Sequence, residues 1–172
     1  ALYRASVYGN LGIMFPMITS VSEVQKVLEI CKTVREELQA EQIPYAEKME
    51  LGIMIETPAA AIISDQLAPL VDFFSVGTND LTQYTLACDR QNPDIESFCD
   101  THHEAILRLI AWSAKNAHEH GAWIGICGEL AADTSLTERF LRMGIDELSV
   151  SPTFVLKVRD AVRKVDLRTK EN

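Results

Sequence analysis

The sequence predicts an α/β protein built on a parallel sheet, and three observations favour this class. Short apolar runs alternate along the 172 residues with longer stretches whose apolar residues recur at helical spacing. The short runs are apolar at nearly every position, as expected of parallel strands that are covered on both faces. The third observation is that at least one helical stretch separates each short run from the next, as the crossover of a βαβ unit requires.

The first strand–helix unit begins with the apolar run 11–18, which predicts a strand. Ser20 and Glu23 then stand at the spacing of a capping box, which marks the start of a helix. Apolar side chains repeat after it with a helical period, at Val24, Val27, Leu28, Cys31, Val34 and Leu38.

The second and third units follow the same order. The run 51–55 predicts a strand that ends at Glu56, and Thr57-Pro58 fits the cap and first residue of a helix that reaches Leu67. The run 71–76 predicts a third strand. It ends in Gly77-Thr78-Asn79-Asp80, and a short helix is predicted after it.

The fourth unit is preceded by the polar segment 89–100, which we expect to form a long loop. A helix is predicted from about 103 to 120, where Gly121 ends it. The run 123–127 predicts the fourth strand, which leads into Gly128-Glu129.

The last unit begins with a short helix over 136–143 that stops at Gly144. The run 147–150 predicts the fifth strand, and a final helix is predicted to about residue 165. The tail 168–172 is expected to fray.

Two architectures fit this pattern, a doubly wound sheet and a TIM (β/α)8 barrel. Chemistry in a barrel lies at the carboxyl ends of all strands, whereas a doubly wound sheet concentrates it at one switch point. Distinctive polar residues follow several of the predicted strands here, and no Gly-x-Gly-x-x-Gly follows any of them. These strand-end residues are Glu56, Asn79, Asp80, Cys127, Glu129 and Ser151.

The pattern therefore favours the barrel, but only part of one. A complete barrel has eight strands and typically about 250 residues, and five strands are predicted here. We expect residues 1–172 to form a single domain that is the carboxyl-terminal portion of a barrel. The chain begins Ala1-Leu2-Tyr3-Arg4, without an initiator Met or the pattern of a signal peptide, so we expect a piece of a longer protein.

Composition excludes some function classes. The net charge of −9 does not suit a nucleic-acid partner, which requires a basic face, and it disfavours an anionic membrane surface. No apolar run approaches the roughly 20 residues of a membrane span. Cys31, Cys88, Cys99 and Cys127 show no CxxC spacing, so a zinc site is not predicted and we expect free thiols in a reducing cytosol.

Two strand-end acids could hold a cation. Glu56 and Asp80 follow strands that are adjacent in sequence, and adjacent parallel strands lie about 4.8 Å apart. Two carboxylates, with water and a substrate phosphate, make up the kind of site that Mg²⁺ prefers. Either acid alone is more often a helix cap or a solvated loop charge.

Three further residues have both a functional and a structural interpretation. Asn79 could donate its amide to a substrate oxygen or simply follow a turn. Arg90 could bind carboxylate or phosphate, although loop arginines are mostly surface charges. Cys127 could act as a thiol acid or be a small buried side chain, and the flanking Gly125 and Gly128 favour a role near a ligand.

The histidines do not predict a nucleophile. All four, His102, His103, His118 and His120, lie on or beside one predicted helix, and none follows a strand. His118 and His120 lie near its carboxyl end, where the helix dipole favours histidine, so we interpret them as structural.

The strand-end motifs resemble enzyme I of the bacterial sugar phosphotransferase system, and the similarity extends from about residue 4 to residue 165. The Gly-Thr-Asn-Asp-Leu-Thr-Gln and Cys-Gly-Glu motifs are typical of enzymes that use phosphoenolpyruvate. The motifs are Phe15-Pro16-Met17-Ile18, Gly52-Ile53-Met54-Ile55-Glu56-Thr57-Pro58-Ala59-Ala60, Asp72-Phe73-Phe74-Ser75-Val76-Gly77-Thr78-Asn79-Asp80-Leu81-Thr82-Gln83-Tyr84-Thr85, Cys88-Asp89-Arg90 and Cys127-Gly128-Glu129-Leu130-Ala131.

The resemblance implies a fold and a set of roles. It implies strands 4 to 8 of a TIM barrel, Mg²⁺ held by Glu56 and Asp80, and phosphoenolpyruvate contacts from Asn79, Asp80 and Arg90. It implies that Cys127 protonates the enolate as pyruvate forms.

The resemblance also implies a larger cytoplasmic transferase that catalyses the first step of sugar uptake.

 It implies that the phosphoryl group passes to a histidine on an amino-terminal domain, and from there to the phosphocarrier protein HPr. Neither that domain nor the first barrel strands, with their further arginines, are in this chain. We therefore expect the chain to be inactive alone, and the full-length protein to be a homodimer without membrane insertion.

Two rival hypotheses remain from the sequence. The same barrel portion occurs in pyruvate phosphate dikinase and phosphoenolpyruvate synthase, although Tyr84-Thr85-Leu86-Ala87-Cys88-Asp89-Arg90 favours enzyme I. The chain could also be a non-catalytic interaction module with a decayed site. The intact set of candidate residues disfavours decay.

Overall fold

The computed structural model describes residues 1–168, without the side chains of residues 96 and 97. Five parallel strands form one sheet in the order of the sequence. Because right-handed crossovers between consecutive neighbouring strands place every helix on the same face, the sheet is wound as in a barrel and does not reverse at a switch point. The strands are β1 (Ile13–Phe15), β2 (Leu51–Ile55), β3 (Phe73–Gly77), β4 (Trp123–Cys127) and β5 (Glu147–Ser149).

The predicted partial (β/α)8 barrel is thereby confirmed. Eight α-helices are described, of which the first precedes β1 and the last follows β5. They are α1 (Leu2–Ala5), α2 (Val21–Ala40), α3 (Pro58–Ile62), α4 (Ser64–Leu67), α5 (Thr78–Leu86), α6 (Glu104–Glu119), α7 (Thr137–Met143) and α8 (Val155–Lys164).

The helix starts and stops confirm the local predictions. Ser20 and Glu23 form the full capping box of α2, and the Thr57 hydroxyl accepts the Ala60 N–H at 3.1 Å to cap α3. Gly144 ends α7 in the left-handed conformation. These caps satisfy backbone groups that a helix end would otherwise leave without partners.

Some boundaries differ from the predictions. The predicted strand 11–18 shortens to β1, and the predicted helix 58–67 is divided at Ile63, whose ψ of 19° lies outside the helical range. The predicted loop 89–100 contains a 3₁₀ helix, Pro93–Phe98. The expected fraying of 168–172 concerns residues that, apart from Arg168, lie outside the described part of the chain.

The helical turns before β1 were not predicted. Tyr3 on α1 is buried and packs with Ile13, Cys31 and Leu38 in a small apolar cluster beside β1 and α2. Burial raises the pKa of the Tyr3 hydroxyl to about 12, because its ionised form would lose water. A segment of four residues has too little periodicity to reveal this packing in sequence.

The main core lies between the sheet and the helices. Alternate side chains of the three central strands point into it and are fully buried, because successive residues of a strand face opposite sides. These side chains are Ile53, Ile55, Phe74, Val76, Ile124 and Ile126.

The opposite face of the sheet, which would be the interior of a barrel, is covered less. Phe73 stacks on Trp123 with 4.5 Å between ring centroids, and a Cβ on Gly52 would lie 2.4 Å from the Phe73 ring. Met14 is 41% exposed on the same face. Within the described residues, β1 and β5 each pair with a single strand, so the sheet has two free edges.

The prediction of four free thiols was wrong for two of them. Cys88 and Cys99 form a disulfide, with their Cα atoms 5.9 Å apart, whereas Cys31 and Cys127 are free. The pairing depends on the return of the 89–98 segment towards the end of α5, which spacing alone does not reveal. No helix in residues 1–168 is long and apolar enough to cross a membrane.

Candidate active site at the carboxyl ends of the strands

The sheet register brings the predicted site residues to one edge. Gly77 at the end of β3 lies opposite Cys127 at the end of β4, and Glu56 directly follows β2, which pairs with β3 on its other side. Asn79 and Asp80 lie in the first turn of α5, which begins immediately after Gly77. The parallel pairing therefore places residues from three strand ends beside one another, as predicted.

Glu56 is a buried carboxylate. It is 4% exposed, and its Oε1 accepts the backbone N–H of Met17 at 2.7 Å. A Cβ on Gly77 would lie 2.8 Å from Oε2, so only glycine lets the backbone of β3 pass so near. None of the ion pairs among the described residues involves Glu56.

This environment suits a cation. Burying an ionised carboxylate is costly unless a charge or hydrogen bonds compensate it, and Glu56 accepts a single hydrogen bond among the described residues, from Met17. No cluster of three or more His, Cys, Asp or Glu side chains that could hold a metal is found in residues 1–168. A site with fewer protein ligands is the kind that Mg²⁺ uses, because the ion keeps several waters and binds substrate phosphate.

Asp80 and Arg90 form an ion pair at the rim of the site. Arg90 Nη2 donates to Asp80 Oδ1 at 3.2 Å, and both side chains are partly exposed. The backbone N–H of Arg90 donates to Gln83 Oε1 at 3.2 Å. Because a partly exposed pair of this kind contributes no more than about 1 kcal/mol, an anionic ligand or a cation could rearrange it at low cost.

Gly128 directly follows β4 and packs against the first turn of α5. Its φ of 107° is unfavourable for other residues, and a Cβ there would lie 2.5 Å from Thr78 Oγ1 and 3.1 Å from Asn79 Oδ1. Asn79 Oδ1 accepts the Glu129 N–H at 3.2 Å, which keeps the NH₂ group of its amide as a donor. Gly128 was expected to admit a ligand, but its observed neighbour is the first turn of α5.

Gly125, the other glycine beside Cys127, has a different neighbour. A Cβ at Gly125 would lie 3.1 Å from the Cβ of Glu147 on β5. This glycine therefore makes room between two strands, and the expectation that it lies against a ligand does not follow from its surroundings.

Cys127 is half-buried and has two polar neighbours. The Ser75 hydroxyl donates to its Sγ at 3.4 Å, and its own S–H donates to the Val76 carbonyl at 3.4 Å. The sequence analysis missed Ser75. The available signal was its place as the single polar side chain within β3, on the same face of the sheet as Cys127.

Two clefts adjoin at Glu129, which lines both. We call the larger one, of about 520 Å³, the strand-end cleft; it is lined by Cys127, Gly128, Glu129, Ala132, Asp133, Ser149, Val150, Ser151 and Phe154. We call the other, of about 440 Å³, the arginine cleft; it is lined by Asn79, Thr82, Gln83, Arg90, Cys99, Thr101 and Glu129.

A further cleft of about 550 Å³ lies at the amino ends of the strands, between Gly12, Glu50 and Asp72. It contains none of the strand-end residues. Since barrel enzymes carry their chemistry at the opposite, carboxyl-terminal face, the two clefts at Glu129 are the candidate active site.

The histidines are structural or peripheral, as the sequence indicated for two of them. His118 Nε2 pairs with Asp146 Oδ2 at 2.9 Å, and His120 Nδ1 lies 2.9 Å from the Asn116 carbonyl. His103 caps α6 by accepting the Ala105 N–H. His102 Nε2 lies 2.7 Å from Asp133 Oδ2 at the edge of the strand-end cleft.

Comparison with proteins of known sequence identifies relatives over almost the whole chain. It is 47% identical over 171 residues to a phosphoenolpyruvate-protein phosphotransferase of Lactococcus lactis subsp. cremoris, covering 99% of this chain and 30% of that protein. It is also 47% identical over 165 residues to the protein of the same name from Priestia megaterium, covering 96% of this chain and 29% of that protein. The chain thus spans about 30% of the length of the relatives that it matches.

Comparison with solved structures supports the fold. A citrate lyase from Burkholderia xenovorans LB400 superposes with a TM-score of 0.67 and 20% identity, over 93% of this chain and 51% of that one. The family model of the PEP-utilising enzymes, PEP-binding domain, matches residues 1–167. The chain therefore belongs to the family of PEP-binding domains of PEP-utilising enzymes.

Proposed function

We propose that this chain carries the phosphoenolpyruvate site of a phosphoenolpyruvate–protein phosphotransferase. The observation that carries the proposal is the convergence of Glu56, Asp80, Arg90 and Cys127 at one edge of a barrel sheet in a chain of this family. The names of its relatives at 47% identity support the same reaction.

Glu56 and Asp80 would hold Mg²⁺. The buried Glu56 carboxylate lacks a cationic partner among the described residues, and Asp80 in the first turn of α5 has only its exposed pair with Arg90. Bound there, the ion would neutralise the phosphate and the developing enolate. Its binding would release Arg90 from Asp80 and leave the guanidinium free to hold the anionic substrate.

The substrate would lie against the first turn of α5. Asn79 would donate its amide NH₂ to a substrate oxygen, and the backbone N–H of Asp80 points from the positive end of the helix dipole, which favours anions. Arg90 would bind carboxylate or phosphate through its planar fork of donors. Together these groups fix the phosphoenolpyruvate and stabilise negative charge as it develops.

Cys127 would give a proton to the enolate carbon. The Ser75 hydroxyl, which donates to Sγ, and the Val76 carbonyl, which accepts from it, orient the S–H group at the wall of the strand-end cleft. A thiol held in one orientation can protonate one face of the substrate, which gives pyruvate.

The wider reaction belongs to the longer protein. By its resemblance to enzyme I, the phosphoryl group would pass to a histidine on another domain and then to HPr, as the first step of sugar uptake in the cytoplasm. The full-length protein would be a homodimer, and residues 1–172 would supply the carboxyl-terminal part of the barrel without being active alone.

The test is calorimetric titration of the full-length protein with phosphoenolpyruvate, with and without Mg²⁺. We expect binding that requires the ion, and on the order of tenfold weaker Mg²⁺-dependent binding in Glu56→Gln, because a metal ligand is lost. Glu50→Gln makes the same charge change at the exposed opposite end of β2 and should leave binding unchanged. Binding that needs no Mg²⁺, or equal losses in both variants, would refute the proposal.

A further inference from the structure

Two cysteines lie next to the arginine cleft within bridging distance. Cys88 follows the end of α5 and Cys99 precedes α6, and their Cα atoms are 5.9 Å apart, inside the range of disulfides. Cys88 is 5% exposed, whereas Cys99 is partly exposed and lines the arginine cleft. An attacking thiol or disulfide therefore reaches the pair from the Cys99 side.

The segment between the two cysteines carries Arg90. The other described hydrogen bonds of this segment mostly join its own residues. Examples are Gln91 N–H to Asp89 Oδ1 and Asp94 N–H to Asn92 Oδ1. Apart from the disulfide, the hydrogen bonds and the ion pair that join this segment to the rest of the described residues come from Arg90 itself.

 The segment is therefore attached to α5 by Arg90 and by one covalent bond.

The attachment through Arg90 is weak. Its backbone N–H donates to Gln83 Oε1 at 3.2 Å, and its side chain reaches Asp80 at 3.2 Å in a partly exposed ion pair. Such contacts contribute little in water. The Cys88–Cys99 bond, which closes a separation of 11 residues, is thus the main restraint on the position of Arg90.

We propose that Cys88 and Cys99 form a reversible thiol–disulfide site that sets the affinity of the arginine cleft for phosphoenolpyruvate. The proposal rests on the proposed function, since Arg90 is there a substrate-binding residue. With the bond closed, Arg90 is held beside α5. With the bond open, binding must also order the segment 89–98, and this ordering weakens the affinity.

The redox step is thiol–disulfide exchange with a small disulfide such as oxidised glutathione. The Cys99 thiolate attacks one sulfur of that disulfide and releases a first glutathione thiol, which leaves a mixed disulfide on Cys99. The Cys88 thiolate then attacks Cys99 Sγ and displaces the second glutathione thiol. In total the two protein thiols lose two electrons and two protons. The glutathione disulfide gains them as it is reduced to two glutathione thiols.

The reverse step uses a dithiol reductant. One of its thiolates attacks the accessible Cys99 Sγ and releases the Cys88 thiolate, and its second thiol resolves the mixed disulfide. Disulfides of cytosolic proteins are mostly catalytic or redox-sensing, so a pair beside a substrate-binding arginine fits a switch better than a permanent crosslink.

The test uses the full-length protein, equilibrated with oxidised glutathione or with a dithiol and then freed of the reagent. Mass spectrometry of trapped thiols should show that Cys88 and Cys99 convert between disulfide and thiols. Calorimetric titration with phosphoenolpyruvate and Mg²⁺ should give about three- to tenfold tighter binding in the oxidised form.

Variants assign the effect to this pair. Cys99→Ser and Cys99→Ala should bind like the reduced protein in both conditions, whereas Cys31→Ser, at a buried thiol on α2, should keep the difference. A pair that does not interconvert, equal affinities of the two forms, or a difference that survives in both Cys99 variants would overturn the inference. Absence of binding in both forms would instead refute the proposed function, and the switch with it.

Discussion

Gly128 shows how a single missing side chain shapes the candidate site. The residue has a φ of 107° and lies between the end of β4 and the first turn of α5. Any Cβ would meet Thr78 Oγ1 at 2.5 Å, and that hydroxyl donates to the Cys127 carbonyl at 3.1 Å. The position of Asn79 and that of Cys127 therefore depend on the same glycine.

Gly128→Ala should lower both stability and phosphoenolpyruvate affinity. A residue with a Cβ at a φ of 107° and a ψ of −172° is strained by roughly 1–3 kcal/mol, and displacement of Thr78 adds roughly 1–3 kcal/mol. Gly121→Ala is the matched control, because Gly121 has a φ of 79° but nothing within 4 Å of its Cβ position. Urea unfolding and calorimetric binding check both variants, and equal effects of the two substitutions would contradict this account.

Asp133, at the edge of the strand-end cleft, gives a prediction about pH. Hydrogen bonds from the Ser135 hydroxyl and backbone, and one from His102, lower the pKa of its carboxyl. A carboxylate with a lowered pKa stabilises the fold at pH values above its unfolded pKa of about 3.9, and the contribution is lost as the pH falls through the folded pKa.

Asp133→Asn should therefore reduce the free energy of unfolding at pH 7, by less than about 1 kcal/mol because the side chain is partly exposed. The variant and the parent protein should converge in stability only as the pH falls from about 4 through the lowered folded pKa of Asp133. Asp65→Asn, at an exposed position of α4, is the control for charge. Urea unfolding across this pH range is the measurement, and a constant difference at all pH values would speak against the assigned cause.

The sequence pointed to most residues of the candidate site but not to their neighbours. Glu56, Asp80 and Cys127 could be found because each follows an apolar strand. The Ser75 hydroxyl and the Cys88–Cys99 bond could not, because they depend on which residues the folded chain places side by side.

At the scale of elements, α4 and α6 pack together, and each carries a buried serine with different surroundings. Ser64 Oγ donates to the Ala61 carbonyl and accepts Asn116 Nδ2, both at 2.8 Å. Ser113 is also fully buried, but its hydroxyl has no hydrogen-bond partner among the described residues. A buried polar group without a partner lowers stability.

The two serines should respond oppositely to removal of the hydroxyl. Ser113→Ala should raise the free energy of unfolding by about 0.5–1 kcal/mol, and Ser64→Ala should lower it by about 1–3 kcal/mol because Asn116 loses its acceptor. Urea unfolding of both variants is the measurement. Destabilisation by Ser113→Ala would show that its hydroxyl has a partner in solution, such as water.

Elements with a clear pattern in the sequence were predicted correctly, and elements without such a pattern were missed. A strand such as β2 is bounded by polar residues and an N-cap, and its observed bounds match the prediction. The turn-length segments Leu2–Ala5 and Pro93–Phe98 have no repeating pattern, so their helical structure depends on tertiary contacts.

At the scale of the whole molecule, the consecutive strand order distinguishes the two architectures that the sequence left open. A sheet with helices on one face and a second face bearing Phe73, Trp123 and Met14 requires further chain to complete a barrel. The short length relative to the Lactococcus lactis protein agrees with this, since the chain spans 30% of it.

We propose that Cys127 exchanges a proton with substrate beside a Mg²⁺ site at the strand ends. The most direct measurement is the transfer of isotopic label from pyruvate into phosphoenolpyruvate by the full-length protein, which requires both phosphoryl transfer and proton transfer at carbon. We expect exchange that depends on Mg²⁺ and falls by about 10²–10⁴-fold in Cys127→Ser, while phosphoenolpyruvate binding is retained. Exchange at the parental rate in Cys127→Ser, or exchange without Mg²⁺, would contradict the account.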